Sequence, residues 1–490
     1  MRPGLHRVPP AAGPRQARAA RERLPQRLYA AHRSPLSAPR RALRLNRAPT
    51  VTTARTLALD VLSRIEQDDA YSHIALSNQL ATSELDARDR ALATELVYGT
   101  LARQRSIDTV LSRFVSRKLE SLDRPVRLNL RMATYQLLYL DRIPAHALVN
   151  DAVKLVKRAC GQRTAGFANA VLRNMLRSKE KWQPFEERDR SANPARYLGL
   201  KYSLPDWIAR RLLDRHGLER AEALAEAFAG RPPLYLRRLQ PLDTLPEGVS
   251  PLQAPPGALK AESSSPELRA LLEAHALTIQ DLGSQLIAHY CGASPGMRAL
   301  DACCGLGGKS LLLAQQLGPG DTLVACDPLP TKLEMLANTL ADLRVDPTVV
   351  LREATLQELP ESDGDFDLIL VDAPCSGLGV IRRHPETRWR RSPADVDALV
   401  RVQSELLDHA VNRLNPGATL VYSVCTFTRE EGPEQIERLL ERHPHLERAP
   451  LPESGFDWAP FVNTLGELDL NPRDHDCDAF FAARLRRTQT

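Results

Sequence analysis

The sequence contains nothing that could span a membrane. Nowhere does it hold the roughly 18 uninterrupted apolar residues such a helix needs, and no apolar signal core follows the N-terminus. It has no Cys-x-x-Cys pair and no Cys–His spacing of the zinc type, which speaks against a metal site. These absences give the expectation of a soluble cytoplasmic protein with no membrane partner, no metal and reduced thiols. Lysine is scarce, nine against 57 arginines, as a GC-rich coding sequence would give, so an arginine-rich stretch is not by itself a signal.

What is present is unevenly distributed. The chain of 490 residues has a net charge of +6, but its first fifty residues hold twelve arginines and one acid, a local charge of +11. The other 440 residues therefore carry −5, and bulk charge cannot be what draws a polyanion to the folded part. Residues 1–50 also hold eight prolines and little apolar periodicity, so they are expected to be a disordered basic extension. That segment resembles an organellar transit peptide and reads equally well as sequence upstream of a misplaced start codon.

The length suggests two or three domains. Over 51–183 apolar residues recur at helical spacing, as in Leu57, Val61, Leu62 and Ile65, and again in Leu92, Leu96, Val97 and Leu101. This predicts an all-helical domain of about six helices. Residues 184–265, with Pro232-Pro233, Pro255-Pro256 and a short candidate strand at 234–239, read as a small mixed connector. From 266 to 490, strand-like runs at 298–302, 322–326, 349–352, 366–372, 419–424 and 479–485 alternate with helices. That alternation predicts a parallel, doubly wound, Rossmann-like α/β domain.

Its first strand runs into Asp301-Ala302-Cys303-Cys304-Gly305-Leu306-Gly307-Gly308-Lys309-Ser310. Glycines between a strand and a helix let backbone N–H groups approach a ligand at the helix N-terminus. Nineteen residues after Gly308, Asp327 ends the second strand, where an acid suits the ribose hydroxyls of an adenine nucleoside. Gly308-Lys309-Ser310 also ends like a P-loop, with residues 368–372 as a Mg²⁺-positioning strand. A P-loop, however, needs a glycine where this chain has Cys303.

Two cysteines stand apart from the other six. Cys375 lies in Asp372-Ala373-Pro374-Cys375-Ser376-Gly377, after the fourth strand, and Cys425 in Tyr422-Ser423-Val424-Cys425-Thr426, after the fifth. In an open α/β sheet both loops lie on the carboxyl edge, where ligands bind, so both thiols can face one pocket. Cys160, Cys291, Cys303, Cys304, Cys326 and Cys477 read as small buried apolar residues. Residues 382–391 contain five arginines and Trp389, suited to phosphate contacts and base stacking. His384 reads as structural.

Together with Gln280-Asp281-Leu282-Gly283-Ser284-Gln285, these segments resemble the RNA cytosine-5 methyltransferases of the NOL/NOP/Sun type. Tyr135-Gln136-Leu137-Leu138, Arg142-Ile143-Pro144 and Phe167-Ala168-Asn169-Ala170-Val171-Leu172-Arg173 resemble a NusB-like RNA-binding domain, the pairing found in the bacterial Sun/Fmu-type enzymes that act on 16S rRNA. The resemblance covers about residues 52–486. It implies S-adenosylmethionine as cofactor, held by Cys303, Cys304, Gly305, Leu306, Gly307, Gly308 and Lys309, with Asp327 on the ribose and Asp372 near both the methionine end and the target base. It implies Cys425 as nucleophile, Asp372 as the acid that favours its addition, and Cys375 as the residue that assists release. The implied partner is 16S rRNA, naked or in an early small-subunit particle, with the enzyme a monomer.

Three positions depart from that family. Gly305-Leu306 stands where the family has Ala-Pro, and Val424 where it has Thr before the nucleophile. After the third strand, Ala354 with Glu353 beside it replaces the usual acid. The rival readings are an RNA-stimulated P-loop ATPase and a non-catalytic NusB-like RNA-binding scaffold.

Overall fold

A computed structural model describes residues 52–453 and 455–489. The expected disordered extension, 1–50, lies outside the described residues. The described residues divide into two compact units, one mainly helical, covering 52–230 together with 381–390, and one α/β, covering 231–380 and 391–489.

The helical unit begins with six helical stretches between Thr53 and Ser178, as the periodicity predicts: α1 (Ala54–Gln67), α2 (Ser72–Ala81), α3 (Ala87–Ala102), α4 (Gln104–Leu111), α5 (Arg124–Tyr139) and α6 (Ala145–Arg177), the last broken at Gly161 with φ +83°. Local chemistry sets their ends. Thr53 caps α1 with a reciprocal Thr56 bond, and Asp86 accepts from Asp89 N at the start of α3. Leu57, Val61, Leu96, Val97 and Met132 fill one core, while Val110, Leu130, Val149 and Leu172 fill another. Between them Arg131 of α5 forks onto Asp108 of α4 at 2.8 Å for each bond. Three more helices, α7 (Asp189–Ala192), α8 (Pro194–Lys201) and α9 (Asp206–Ala229), complete the run to Gly230. The expected connector, 184–265, is thus shared between the two units.

The α/β unit opens with a four-stranded antiparallel sheet in the order β2-β3-β1-β4, from β1 (Leu234–Arg238), β2 (Val249–Pro251), β3 (Ala258–Ala261) and β4 (Leu277–Ile279), with α10 (Pro266–Glu273) before the last strand. The large sheet follows, from β5 (Arg298–Asp301), β6 (Thr322–Cys326), β7 (Thr348–Arg352), β8 (Phe366–Asp372), β9 (Leu414–Val424), β10 (Leu446–Arg448), β11 (Leu468–Leu470) and β12 (Phe480–Arg487), in the order β10-β12-β9-β8-β5-β6-β7 with β11 on β12. Strands β5 to β9 pair in parallel, as predicted, but β12 pairs antiparallel with β9 and β10, so the sheet is mixed. The reason is connectivity: β12 is reached from β10 with no crossover helix, and a strand returning without a crossover runs antiparallel.

Helices α11 (Leu282–Tyr290), α12 (Gly308–Gln316) and α13 (Pro330–Asp342) pack on one face of this sheet, through Leu286, Leu313 and Leu336 against Leu323, Leu370 and Val421. On the other face α15 (Pro393–Asn412) and α16 (Pro433–Arg442) bring Leu407, Ala410 and Ile436 against Leu300, Ile369 and Leu420. Because β5 sits between β6 and β8, the chain reverses direction across the sheet there, which opens a crevice at the carboxyl ends.

Residues 381–390, including the single turn α14 (Thr387–Arg390), overturn one expectation. Within the helical unit they close helix ends. Trp389 Nε1 donates to Leu101 O at 2.8 Å and Arg388 Nη1 to Ala102 O at 3.4 Å, at the end of α3. Arg390 Nη2 donates to Ile65 O and Ala70 O (2.9 and 2.8 Å), and Glu386 accepts from Ser72 N. Burial lowers the Arg388 pKa to about 9. The stretch Arg388–Arg390 is therefore not an open RNA-stacking loop: its donors satisfy backbone carbonyls at the ends of α1 and α3 and in the loop after α1. His384 is structural here too, held neutral by burial with a pKa lowered to about 4. Trp389→Ala is expected to cost the helical unit about 3 kcal/mol, seen as a lower melting temperature. An unchanged melting temperature with weaker RNA binding would restore the original reading.

Candidate functional site

At the carboxyl end of β5, Asp301 turns into the glycine loop. Cys304 N donates to Cys326 O (2.9 Å) and Gly307 N to Cys304 O (2.8 Å), which folds the loop back over β6. Gly307 then begins α12 in the left-handed region, φ +82°, with Leu336 so near that a Cβ would lie 2.3 Å from its side chain. Only glycine serves both conditions. From the small sheet, Arg237 reaches Gly308 O (3.2 Å) and Gln315 Oε1 (2.7 Å), fixing the loop from outside. Lys309, which a P-loop would reserve for phosphate, is instead ion-paired with Asp372 at 2.6 Å.

Two buried acceptors at this loop have no protein partner, Asp301 Oδ1 and Gln280 Oε1. Asp301 Oδ2 accepts from Ser310 Oγ at 2.7 Å, but burial dominates and raises the Asp301 pKa to about 6. Asp327, nearly buried, accepts from Leu329 N (2.9 Å) and Lys332 Nζ (3.0 Å). The third strand ends differently: Arg352 forks onto Asp363 (2.9 and 2.6 Å), while Glu353 is exposed. Burial pushes the thiols of Cys303, Cys304 and Cys326 well above the ordinary range; Cys304 and Cys326 are buried beside the glycine loop, whereas Cys303 is half-buried.

Strands β8 and β9 carry the second half of the site. Their register sets Asp372 opposite Ser423, whose Oγ donates to Asp372 Oδ1 at 2.7 Å. Beyond these strand ends the chain brings Cys375 Sγ and Cys425 Sγ to 3.3 Å. Cys375 is buried and Cys425 half-buried. The hydrogen bond with Cys425, then burial, pushes the Cys375 thiol far up, so Cys375 holds its proton. Gly379 locks the loops together: its N–H donates to Cys425 O and its carbonyl accepts from Ala479 N (3.0 Å each). A Cβ there would lie 2.0 Å from Ala479 O, so no other residue fits.

All the expected site residues thus fall at the carboxyl ends of β5, β6, β8 and β9. Asp301, Ser423 and Glu431 are additions. An acid closing the first strand was a readable signal for Asp301; Ser423 needed the strand register, and Glu431 needed the loop fold. Among the described residues no cluster of three His, Cys, Asp or Glu side chains is placed to hold a metal, and no helix is long and apolar enough to cross a membrane.

The donor set fits S-adenosylmethionine. The loop 303–309 offers backbone at a helix N-terminus, Asp327 an acid for a diol, and Asp301 Oδ1 and Gln280 Oε1 unfilled acceptors for an ammonium or an amine.

A pH signature follows from Asp301. Its folded pKa lies above the unfolded value near 4, so its contribution to stability is complete below about pH 4 and is lost as pH rises through about 6, on the order of 2–3 kcal/mol. Asp301→Asn is expected to remove that component from the stability–pH curve measured by denaturant unfolding. Parallel curves for the two proteins would contradict the assignment.

Comparison with known proteins places the family and the fold. Residues 52–177 match the NusB family, and residues 292–486 match the 16S rRNA methyltransferase RsmB/F family. A Mycobacterium tuberculosis protein named as a methyltransferase is 34% identical, over 89% of this chain and 96% of its own length. The ribosomal RNA small subunit methyltransferase B of Enterobacter is 31% identical, over 88% and 98%. The crystal structure of PH0851 superposes with a TM-score of 0.72 at 22% identity, covering 90% of this chain and all of that one. The chain belongs to the 16S rRNA methyltransferase RsmB/F family and is an S-adenosylmethionine-dependent methyltransferase.

Proposed function

We propose that the protein methylates carbon 5 of a cytosine in 16S rRNA through a transient bond from Cys425 to carbon 6 of that base. The observation that carries this reading is the pair of thiols 3.3 Å apart, beside the Lys309–Asp372 ion pair and next to the cofactor loop.

Carbon 5 of cytosine is a poor nucleophile because the ring draws its electrons away. A thiolate that adds to carbon 6 pushes the 5,6 electron pair onto carbon 5, which can then take a methyl group. S-adenosylmethionine, when bound, supplies a sulfonium-activated methyl for that carbon. Cys425 suits the addition because it is the less buried sulfur, and Cys375 retains its proton. Asp372, ion-paired with Lys309, is a hydrogen-bond acceptor; it would favour addition by holding a proton on ring nitrogen 3 and accepting from the exocyclic amine. Lys309 stays charged, since the neighbouring carboxylate more than offsets its burial and raises its pKa.

Release reverses the first bond. The hydrogen on carbon 5 leaves as a proton, its electron pair restores the double bond, and the carbon–sulfur bond breaks with its electrons returning to Cys425. Cys375 suits this step by accepting that proton as it passes its own to the leaving sulfur, so the displaced hydrogen ends on the thiol pair.

An rRNA substrate is supported by the names of the relatives and by the NusB match of the helical unit. Phosphate contacts suit the exposed basic side chains along the two halves of α6, Lys154 and Lys157 before Gly161 and Arg163, Arg173 and Arg177 after it, on a folded part that is not basic as a whole. Cys425→Ala is expected to abolish methyl transfer to 16S rRNA, and Cys375→Ala to accumulate a protein–RNA adduct on a denaturing gel. A Cys375→Ala enzyme that turns over with no band shift would refute these roles.

A further inference from the structure

We propose that Glu431 is the positioning residue of the thiol pair: its carboxylate clamps the Cys375 loop onto the Cys425 loop, and its charge beside Cys375 gives the two sulfurs different work. This rests on the reading in which both cysteines act.

Glu431 is completely buried. Its Oε1 accepts from Ser376 N (2.7 Å) and Gln403 Nε2 (3.1 Å), and its Oε2 from Ser376 Oγ (2.6 Å) and Thr428 Oγ1 (2.8 Å). Its backbone carbonyl accepts from Tyr422 OH at 2.6 Å. A second layer sets the first: Gln435 Nε2 donates to Gln403 Oε1 (3.2 Å), and the Gln403 amide also donates to Pro374 O (3.0 Å). Both neighbours of Cys375 are therefore held, Ser376 by the carboxylate itself and Pro374 through Gln403. On the opposite loop, Thr426 next to Cys425 shares a 3.0 Å hydrogen bond with Ser376.

Every partner of this carboxylate is a neutral donor. Taking a charge out of water is expensive, and a clamp alone could be built from an amide. The charge does more than clamp, because it lies one residue along the hydrogen-bonded loop from Cys375, across Ser376, and acts against ionisation of that thiol. Cys375 is faced by Cys425 at 3.3 Å, by Glu431 across Ser376 and by Tyr422, while the Lys309–Asp372 ion pair acts on the Cys425 side; Arg391 lies beside them, donating to Ser376 O at 2.9 Å. Glu431 and Cys425 both act against ionisation of Cys375 and so favour its thiol form. The sulfur left to attack carbon 6 is then the one nearer solvent.

Glu431→Gln separates charge from shape. The amide oxygen can take the Ser376 N–H and Gln403 donors, while the amide nitrogen faces the Ser376 and Thr428 hydroxyls, which can rotate to accept. The test is the pH profile of iodoacetamide alkylation at each cysteine of the full chain, read by peptide mass spectrometry, with the melting temperature measured alongside. Glu431→Gln is expected to move the Cys375 midpoint down by at least about one pH unit and to leave melting within a few degrees. Thr428→Val and Ser376→Ala, which keep the charge, are expected to retain the parent profile. A Glu431→Gln profile that superimposes on the parent's overturns the proposal, as does an equal shift in the charge-keeping variants. If Glu431→Gln unfolds, those two variants decide: parent-like profiles support the charge assignment, and shifted ones overturn it. The alkylation needs neither RNA nor methyl donor, so failure of the parent to methylate cytosine would refute the proposed function separately.

Discussion

The reactive edge depends on one backbone register, that of the parallel strands β8 and β9, in which Asp372 lies opposite Ser423 and Val371 opposite Tyr422. Strand side chains alternate between faces, so a slip of one residue would carry Asp372 and Ser423 to opposite sides of the sheet and separate the two cysteine loops. The register is fixed from both faces. Leu370 and Val421 pack under α11 to α13, while Ile369, Leu420 and Tyr422 pack under α15 and α16. The thiol contact at 3.3 Å is a consequence of hydrogen bonding and core packing several residues away.

Three buried or half-buried carboxylates surround this edge, and each meets desolvation differently. Asp372 faces a lysine and the Ser423 hydroxyl, Asp301 the Ser310 hydroxyl and the Cys303 backbone, and Glu431 four neutral donors. The outcomes follow from the partners. The ion pair keeps Lys309 charged, burial outweighs the Ser310 and Cys303 hydrogen bonds and leaves Asp301 half-titrated near pH 6, and the neutral cage sets the Glu431 carboxylate close to Cys375. The proposed chemistry, in which the two thiols do different work, needs such contrasts within a few ångströms.

Much of this was readable in the sequence, for physical reasons. Glycines before a helix and an acid after the next strand follow from strand–helix spacing, so the positions of the glycine loop and Asp327 at the carboxyl ends of β5 and β6 could be read from it. Cys375 and Cys425 stood out because each follows a strand end rather than lying within one. What escaped were features that exist only across the fold. The antiparallel β12 depends on the lack of a crossover, which local pattern does not encode. Residues 382–391 looked like an open basic loop because arginine and tryptophan suit RNA and buried carbonyls equally well; only the helix ends at Leu101, Ala102 and Ile65 decide between them. Glu431 sits in a run of charged residues that reads as a solvated turn, and its burial arises from contacts with Ser376 and Gln403, far off in the chain.

The central claim is that Cys425, and not Cys375, bonds to the base. RNA carrying 5-fluorocytidine tests it most directly, because the fluorine that replaces the carbon 5 hydrogen cannot leave as a proton and the enzyme stays attached. After reaction with 16S rRNA so substituted and S-adenosylmethionine, then nuclease and protease digestion, mass spectrometry should find a methylated fluorocytidine on the peptide containing Cys425. The same adduct on the Cys375 peptide, or free RNA with no adduct from an enzyme active on ordinary rRNA, would contradict the account.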